Sequence, residues 1–214
     1  AEPAGEAVAD PTTPAADPGI PDGPTDPLDI ELVALTEAAG LTGDVLFNRS
    51  LPAVNDPIVQ LGKLLFFSKS LSGDFDVACV SCHHPALAGA DALSLPVGID
   101  AVNPDVVGPE RAHGSGIPNV PRNSPTVFNA GLWDTGLFFD SRIESFGREA
   151  GANGAVSDIR TPDVELANAD PDAGANLVAA QSRFPVVEVQ EMRGNAFEAG
   201  NTSTSARNHL AARI

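Results

Sequence analysis

Tyrosine is absent from this 214-residue chain, and tryptophan and methionine occur once each. Aromatics are 5% of the residues, so the side chains alone supply only a modest core, although hydrophobic content is an ordinary 43%. Basic residues are scarce as well: 12 Lys and Arg stand against 29 Asp and Glu, for a formal net charge of −17. That balance excludes a nucleic-acid partner and an anionic membrane surface. No run approaches 18 apolar residues, so no transmembrane helix is expected. Cysteine occurs twice, and both copies fall in one pentapeptide.

That pentapeptide is Cys79-Val80-Ser81-Cys82-His83. It reads C-x-x-C-H, the attachment signature of a c-type haem. Two thiols at this spacing can bond the two vinyl groups of one porphyrin, and the following imidazole can bind the iron from the proximal side. Three other readings compete. A structural disulfide across a two-residue gap is a strained, redox-active loop rather than a staple. A redox dithiol needs a surrounding βαβ pattern, which is not evident. Zinc could add His84, but closed zinc sites draw on two separated ligand pairs, and His113 and His209 form no second pair. Haem is the favoured reading, and a porphyrin would fill a core poor in aromatics. The acidic surface then suits a cationic electron-transfer partner, or serves solubility alone.

Residues 1–28 hold seven of the 19 prolines among Ala, Gly, Asp and Glu, and no basic residue precedes Arg49. This stretch reads as a disordered tether, with the folded domain over 29–214. Ile30 to Ala39 reads as a short helix stopped by Gly40. Pro57 to Phe67 reads as an amphipathic helix, with Ile58, Leu61, Leu64 and Leu65 at helical spacing. The Cys79 motif is placed on a short helix. From Pro85 to Pro125, Gly, Pro and Asn predict mostly loop. A short helix is expected after Asp140, irregular chain over 150–175, and two helical turns from Asn176 to Arg183. Nothing predicts a sheet beyond a small hairpin, so the expected fold is mainly α with long irregular loops.

Five segments, taken in order, resemble the bacterial dihaem cytochrome c peroxidase and MauG superfamily. They are Leu61-Gly62-Lys63-Leu64-Leu65-Phe66-Phe67 with Leu71-Ser72, the haem motif, Pro121-Arg122-Asn123-Ser124-Pro125-Thr126-Val127-Phe128-Asn129, Phe138-Phe139-Asp140-Ser141-Arg142, and Glu191-Met192. The resemblance spans about residues 57–193, with an apparent insertion between Gly151 and Val187. It implies a cytochrome c-like haem domain, the N-terminal peroxidatic half of a two-haem enzyme. Only one haem motif is present, so the second haem domain is missing from this chain. Haem c is attached outside the bacterial cytoplasm, so a periplasmic or extracellular location follows, with Ala1 as a processed start.

The resemblance also assigns residues. Cys79 and Cys82 hold the haem, and His83 is the proximal iron ligand. Glu191 matches a distal acid that moves protons during peroxide cleavage. Glu149 falls where relatives often carry Gln, and would be a second distal carboxylate. His113-Gly114 resembles a pair that supplies a distal iron ligand, but counting forward without a gap puts Ile99 there, which leaves the iron open. Asn123 matches a residue that helps hold calcium between the haem domains. Phe139 replaces a tryptophan that lies between the haems; Trp133 could act as that relay or pack in the core, and Met192 reads as core. The expected function is a peroxidase-type haem oxidoreductase that reduces hydrogen peroxide with an electron-donor protein, or uses peroxide to oxidise a protein side chain at a distance. The alternatives are an electron-transfer c-type cytochrome subunit without peroxidase activity, and a scaffold subunit.

Overall fold

Proline opens both of the first two helices, where its fixed φ suits the first turn and its missing N–H costs nothing. The structure, a computed structural model, describes residues 26–41, 44–46, 49–195 and 202–214. Helix α1 runs Pro27–Ala38, capped by the Asp26 carboxylate, which accepts from the Leu28 amide at 2.8 Å. It belongs to a first compact unit that ends at Val45; a second runs from Leu46 to Ile214. Most of the tether expected over 1–28 lies outside the described residues, but Pro27 and Leu28 are already helical.

In the second unit, α2 spans Pro57–Phe67 and ends at Ser68, whose extended backbone breaks the helix. The Ser68 hydroxyl then accepts from the Ser70 amide at 3.1 Å and starts a tight turn over Lys69–Leu71. Helix α3, Cys79–Cys82, is four residues long. A helix that short is unstable alone. It is pinned at its start by Ser81 Oγ, which accepts from the Ala78 amide at 3.1 Å, and at its end by the loop contacts described below. Residues 85–125 are loop with two single turns, Pro85–Leu87 and Gly108–Glu110.

The short helix expected after Asp140 is not there. The chain instead forms β1 (Gly136–Leu137) and β2 (Ile143–Ser145), joined by a turn in which Phe138 and Ser141 take φ of 64° and 52°. Residues held in that left-handed region cannot continue a right-handed helix. β3 (Ile159–Arg160) completes an antiparallel sheet of order β1-β2-β3, with Leu137 opposite Ile143 and Ser145 opposite Ile159. Helix α4, Leu177–Ser182, packs on it, capped by Asn176 Oδ1, which accepts from the Ala179 amide at 2.9 Å. Leu137, Ile143, Ile159, Ala173, Leu177 and Ala180 form the core here. Burying Ile143 or Leu177 contributes about 1.5–3 kcal/mol each.

A second, smaller core joins Val77, Ile99 and Met192, flanked by Leu71, Cys79 and Val186. Met192 is core, as expected; Trp133 is 62% exposed and is not core packing. Helix α5, Ser203–Ala211, buries Ala206 and Leu210. Arg213 just beyond it donates to Ser72 O at 2.7 Å and lies 4.4 Å from the Phe75 ring centre, tying the C-terminal end to the segment before α3. Helix makes up 35% of the described residues and strand 6%, so helix outweighs strand.

Candidate functional site

Helix α3 puts Cys79 and Cys82 on one face, a turn apart. Neither is in a disulfide. Burial raises the pKa of both thiols; Cys82 is pushed up to about 12, with the Asp91 charge adding to the effect of burial. Thiols whose protons burial holds in this way are poor redox nucleophiles. Among the described residues no three His, Cys, Asp or Glu converge on a metal position.

His83 caps α3 and turns its ring into a cradle of loop atoms. Nδ1 lies 3.1 Å from Gly89 O and 3.1 Å from Ser124 Oγ. A carbonyl only accepts, so Nδ1 carries the proton and Nε2 the lone pair, which is the tautomer needed for ligation through Nε2. Burial lowers the His83 pKa despite the opposing carbonyls of Gly89 and Pro125, which favours this neutral ring. Gly89 reaches its position at φ +73, where a Cβ would stand 3.0 Å from the Phe128 ring.

The 121–129 segment is a clamp on the motif. Ser124 Oγ donates to Cys82 O at 2.6 Å and Thr126 Oγ1 to Ala88 O at 2.5 Å. The Val127 amide reaches Gly89 O at 3.2 Å, and Asn123 Nδ2 donates to Leu93 O at 2.6 Å. Sequence reasoning gave Asn123 a role and passed over Ser124. The available signal was a serine in a Pro-bounded stretch whose neighbours were already matched.

Glu191 sits in a π-helical turn, Val189–Arg193, of the kind often found at functional sites. This turn is pressed against residues 97–99. A Cβ on Gly98 would stand 2.1 Å from Gln190 O and 2.6 Å from Glu191 O. The Ile99 amide donates to Gln190 O at 3.3 Å, and Met192 O accepts from the Gly73 amide at 2.8 Å. Cys82 in turn lies along the same segment, its Sγ 3.9 Å from Val97 O, and the Glu191 charge is felt at that thiol. Burial raises the Glu191 pKa; Glu188 adds to this and Arg142 opposes it. Arg142 stacks over Phe138 at 4.3 Å and pairs with Asp140 at 3.3 Å.

The structure therefore brings Cys79, Cys82, His83, Ile99 and Glu191 together. Glu149 is exposed on a turn closed by the Ala152 amide to its own carbonyl, and it is not among the charges that act on Glu191. His113 Nδ1 accepts from the Ser115 amide at 3.1 Å. In the neutral ring that puts the proton on Nε2, so ligation through Nε2 would require giving up this bond. Ile99 fills the small core instead. Asn123 spends its amide nitrogen on the 93–94 loop. Phe139 is exposed beneath the Arg122 guanidinium, 3.5 Å from its ring centre.

Two free thiols a turn apart, followed by an imidazole whose Nε2 has no hydrogen bond among the described residues, fit a covalently attached haem. Together they define the c-type haem-binding class of site. The chain belongs to the di-haem cytochrome c peroxidase family, whose model matches residues 56–212. It is 37% identical over 111 residues to the cytochrome-c peroxidase IdrP2 of Pseudomonas sp. (strain SCT), a match covering 48% of this chain and 26% of that one. It is 35% identical over 92 residues to the methylamine utilization protein MauG of Methylorubrum extorquens, covering 43% and 21%. Against the cytochrome c551 peroxidase of Pseudomonas aeruginosa it is 35% identical over 91 residues, covering 42% and 21%. The matched part is thus about a quarter of each relative's length.

Proposed function

We propose that this chain is the N-terminal, peroxide-reacting haem domain of a two-haem peroxidase, with haem c on Cys79 and Cys82 and His83 as proximal ligand. Bound there, the haem supplies the electron-transfer chemistry for reducing hydrogen peroxide with two electrons and two protons to two waters. Electrons arrive from a donor protein through a second haem domain. The acidic surface fits a cationic donor, and the location is periplasmic or extracellular.

The observation that carries this reading is Glu191, a carboxyl with raised proton affinity on a π turn packed against the Cys82 segment. Its carboxyl takes a proton from one peroxide oxygen and delivers it to the leaving one. Ile99, beside it, carries no ligating atom and would not compete with peroxide for a bound haem. Glu149, on its exposed turn, is at most an outer proton relay, and His113 stays bound to Ser115. The free Oδ1 of Asn123 is the contribution of this chain to a calcium site shared with the second haem domain.

The test is the full haem-loaded protein in its ferric form, mixed with hydrogen peroxide. High-spin iron and a spectral change with peroxide support the reading. Low-spin iron in both oxidation states, unmoved by peroxide, returns the chain to plain electron transfer.

A further inference from the structure

Arg111 is 3% exposed and carries a guanidinium bonded entirely to backbone carbonyls. Nε donates to Val97 O at 2.7 Å and Nη2 to Gly98 O at 2.8 Å. Nη1 donates to Val106 O at 2.9 Å and Pro104 O at 3.2 Å. No carboxylate among the described residues forms an ion pair with it. A buried cation is costly unless something rewards it. Four neutral carbonyls satisfy its N–H groups but do not cancel its charge. Burial accordingly pulls on its proton, and only the more distant Cys82, Asp76 and Asp91 oppose this.

The position of this charge is specific. Val97 O is shared: Arg111 Nε reaches it at 2.7 Å and Cys82 Sγ at 3.9 Å. The guanidinium therefore sits beside one of the two sulfurs that would bond the porphyrin. Gly98, whose carbonyl it also holds, is the residue that abuts the Glu191 turn. The same side chain touches both walls of the site through one stretch of backbone.

We propose that Arg111 is a positioning residue that raises the reduction potential of the haem held at Cys82 and fixes the 97–98 segment against which Glu191 is set. This rests on covalent haem at Cys79 and Cys82. A positive charge in low dielectric, with no carboxylate in direct contact, disfavours the ferric, more positive state relative to the ferrous one. Removing it makes the haem harder to reduce. The effect expected at this range is about tenfold in the ferric–ferrous equilibrium, about 59 mV for one electron.

The experiment is a spectroelectrochemical titration of full-length wild type, R111K and R111Q, with haem content measured on denatured protein and melting followed in parallel. R111K keeps the charge and loses the fork, so its melting temperature should fall while its potential stays with wild type. R111Q loses the charge, so its potential should drop about tenfold in equilibrium terms. Equal potentials in wild type and R111Q overturn the proposal, because an effect on folding alone would lower melting and leave the potential. Should R111Q fail to accumulate, R111K decides: a potential that falls along with its melting temperature overturns the charge role. Absence of covalent haem in wild type is a different failure, that of the haem reading itself.

Discussion

The sheet region (130–184) and the motif region (71–128 with the Glu191 turn) are held together by different means. The first has six buried apolar residues packed as one core. Its polar groups include charged pairs: Arg49 forks onto both Asp134 oxygens at 2.9 and 2.7 Å, and Arg183 reaches Asp170 at 2.9 Å. The second packs only three of its buried apolar residues into one cluster and is organised by side chains that grip backbone carbonyls, with Ser124 on Cys82, Thr126 on Ala88, and Arg111 on Val97 and Gly98. The first region is stabilised by what it buries. The second spends its bonds on fixing where particular atoms point.

Removing the thiols should separate the two regions most strongly. C79S/C82S should abolish covalent haem, read as loss of haem absorbance from the denatured chain, whereas no substitution in the sheet region should do so. The next largest effect is on stability. I143A or L177A should cost about 2–5 kcal/mol by cavity formation, read by denaturant unfolding, with haem still attached. D134N should cost about 1.5–3 kcal/mol by removing the charge that Arg49 forks onto, while its bond to the Leu132 carbonyl remains.

G98A should be smaller in stability, about 1–3 kcal/mol from overpacking, but should slow peroxide reaction because the Glu191 turn must move. S124A is the smallest, about 1 kcal/mol, with loosening of the His83 ring visible as a shift in its ligand-field spectrum.

Acid and base should also separate the two regions. Asp170 is pushed up by burial but held below the carboxylate range overall by Thr161, the Asp172 amide and Arg183. Asp134 is likewise held low, burial being outweighed by Arg49 and the amides of Gly151 and Asn153. Their stabilisation is present above the unfolded value of 3.8 and is lost as pH falls through their lower folded values. Glu191 has the opposite sign. Its folded pKa is raised, so its contribution is present below the unfolded 4.5 and is lost as pH rises through the folded value. Melting curves against pH should show E191Q losing the decline on the alkaline side of 4.5, with the acid limb unchanged.

How far the sequence could be read follows the same division. C-x-x-C-H is local chemistry, and it was legible outright. α2 was legible as a helix from its periodicity, yet Ile58, Leu61 and Leu64 are exposed, because the pattern reports conformation and not which neighbours arrive. A small hairpin was allowed for, but its place and its third strand were missed because strands of two or three residues are too short for alternation to show, and because Phe138 and Ser141 take positive φ only under tertiary constraint. Glu149 and Glu191 look alike as carboxylates in sequence; the fold half-buries Glu191 and exposes Glu149. The role of Arg111 was invisible because its partners are main-chain carbonyls, which every residue has.

The central claim is that Glu191 moves protons in peroxide cleavage at the site built on His83. It is tested most directly by stopped-flow mixing of haem-loaded wild type and E191Q with hydrogen peroxide, following the haem absorbance. A second-order rate lower by about 10²–10⁴ in E191Q, with haem content and wild-type folding retained, is the predicted result. An unchanged rate would contradict the account.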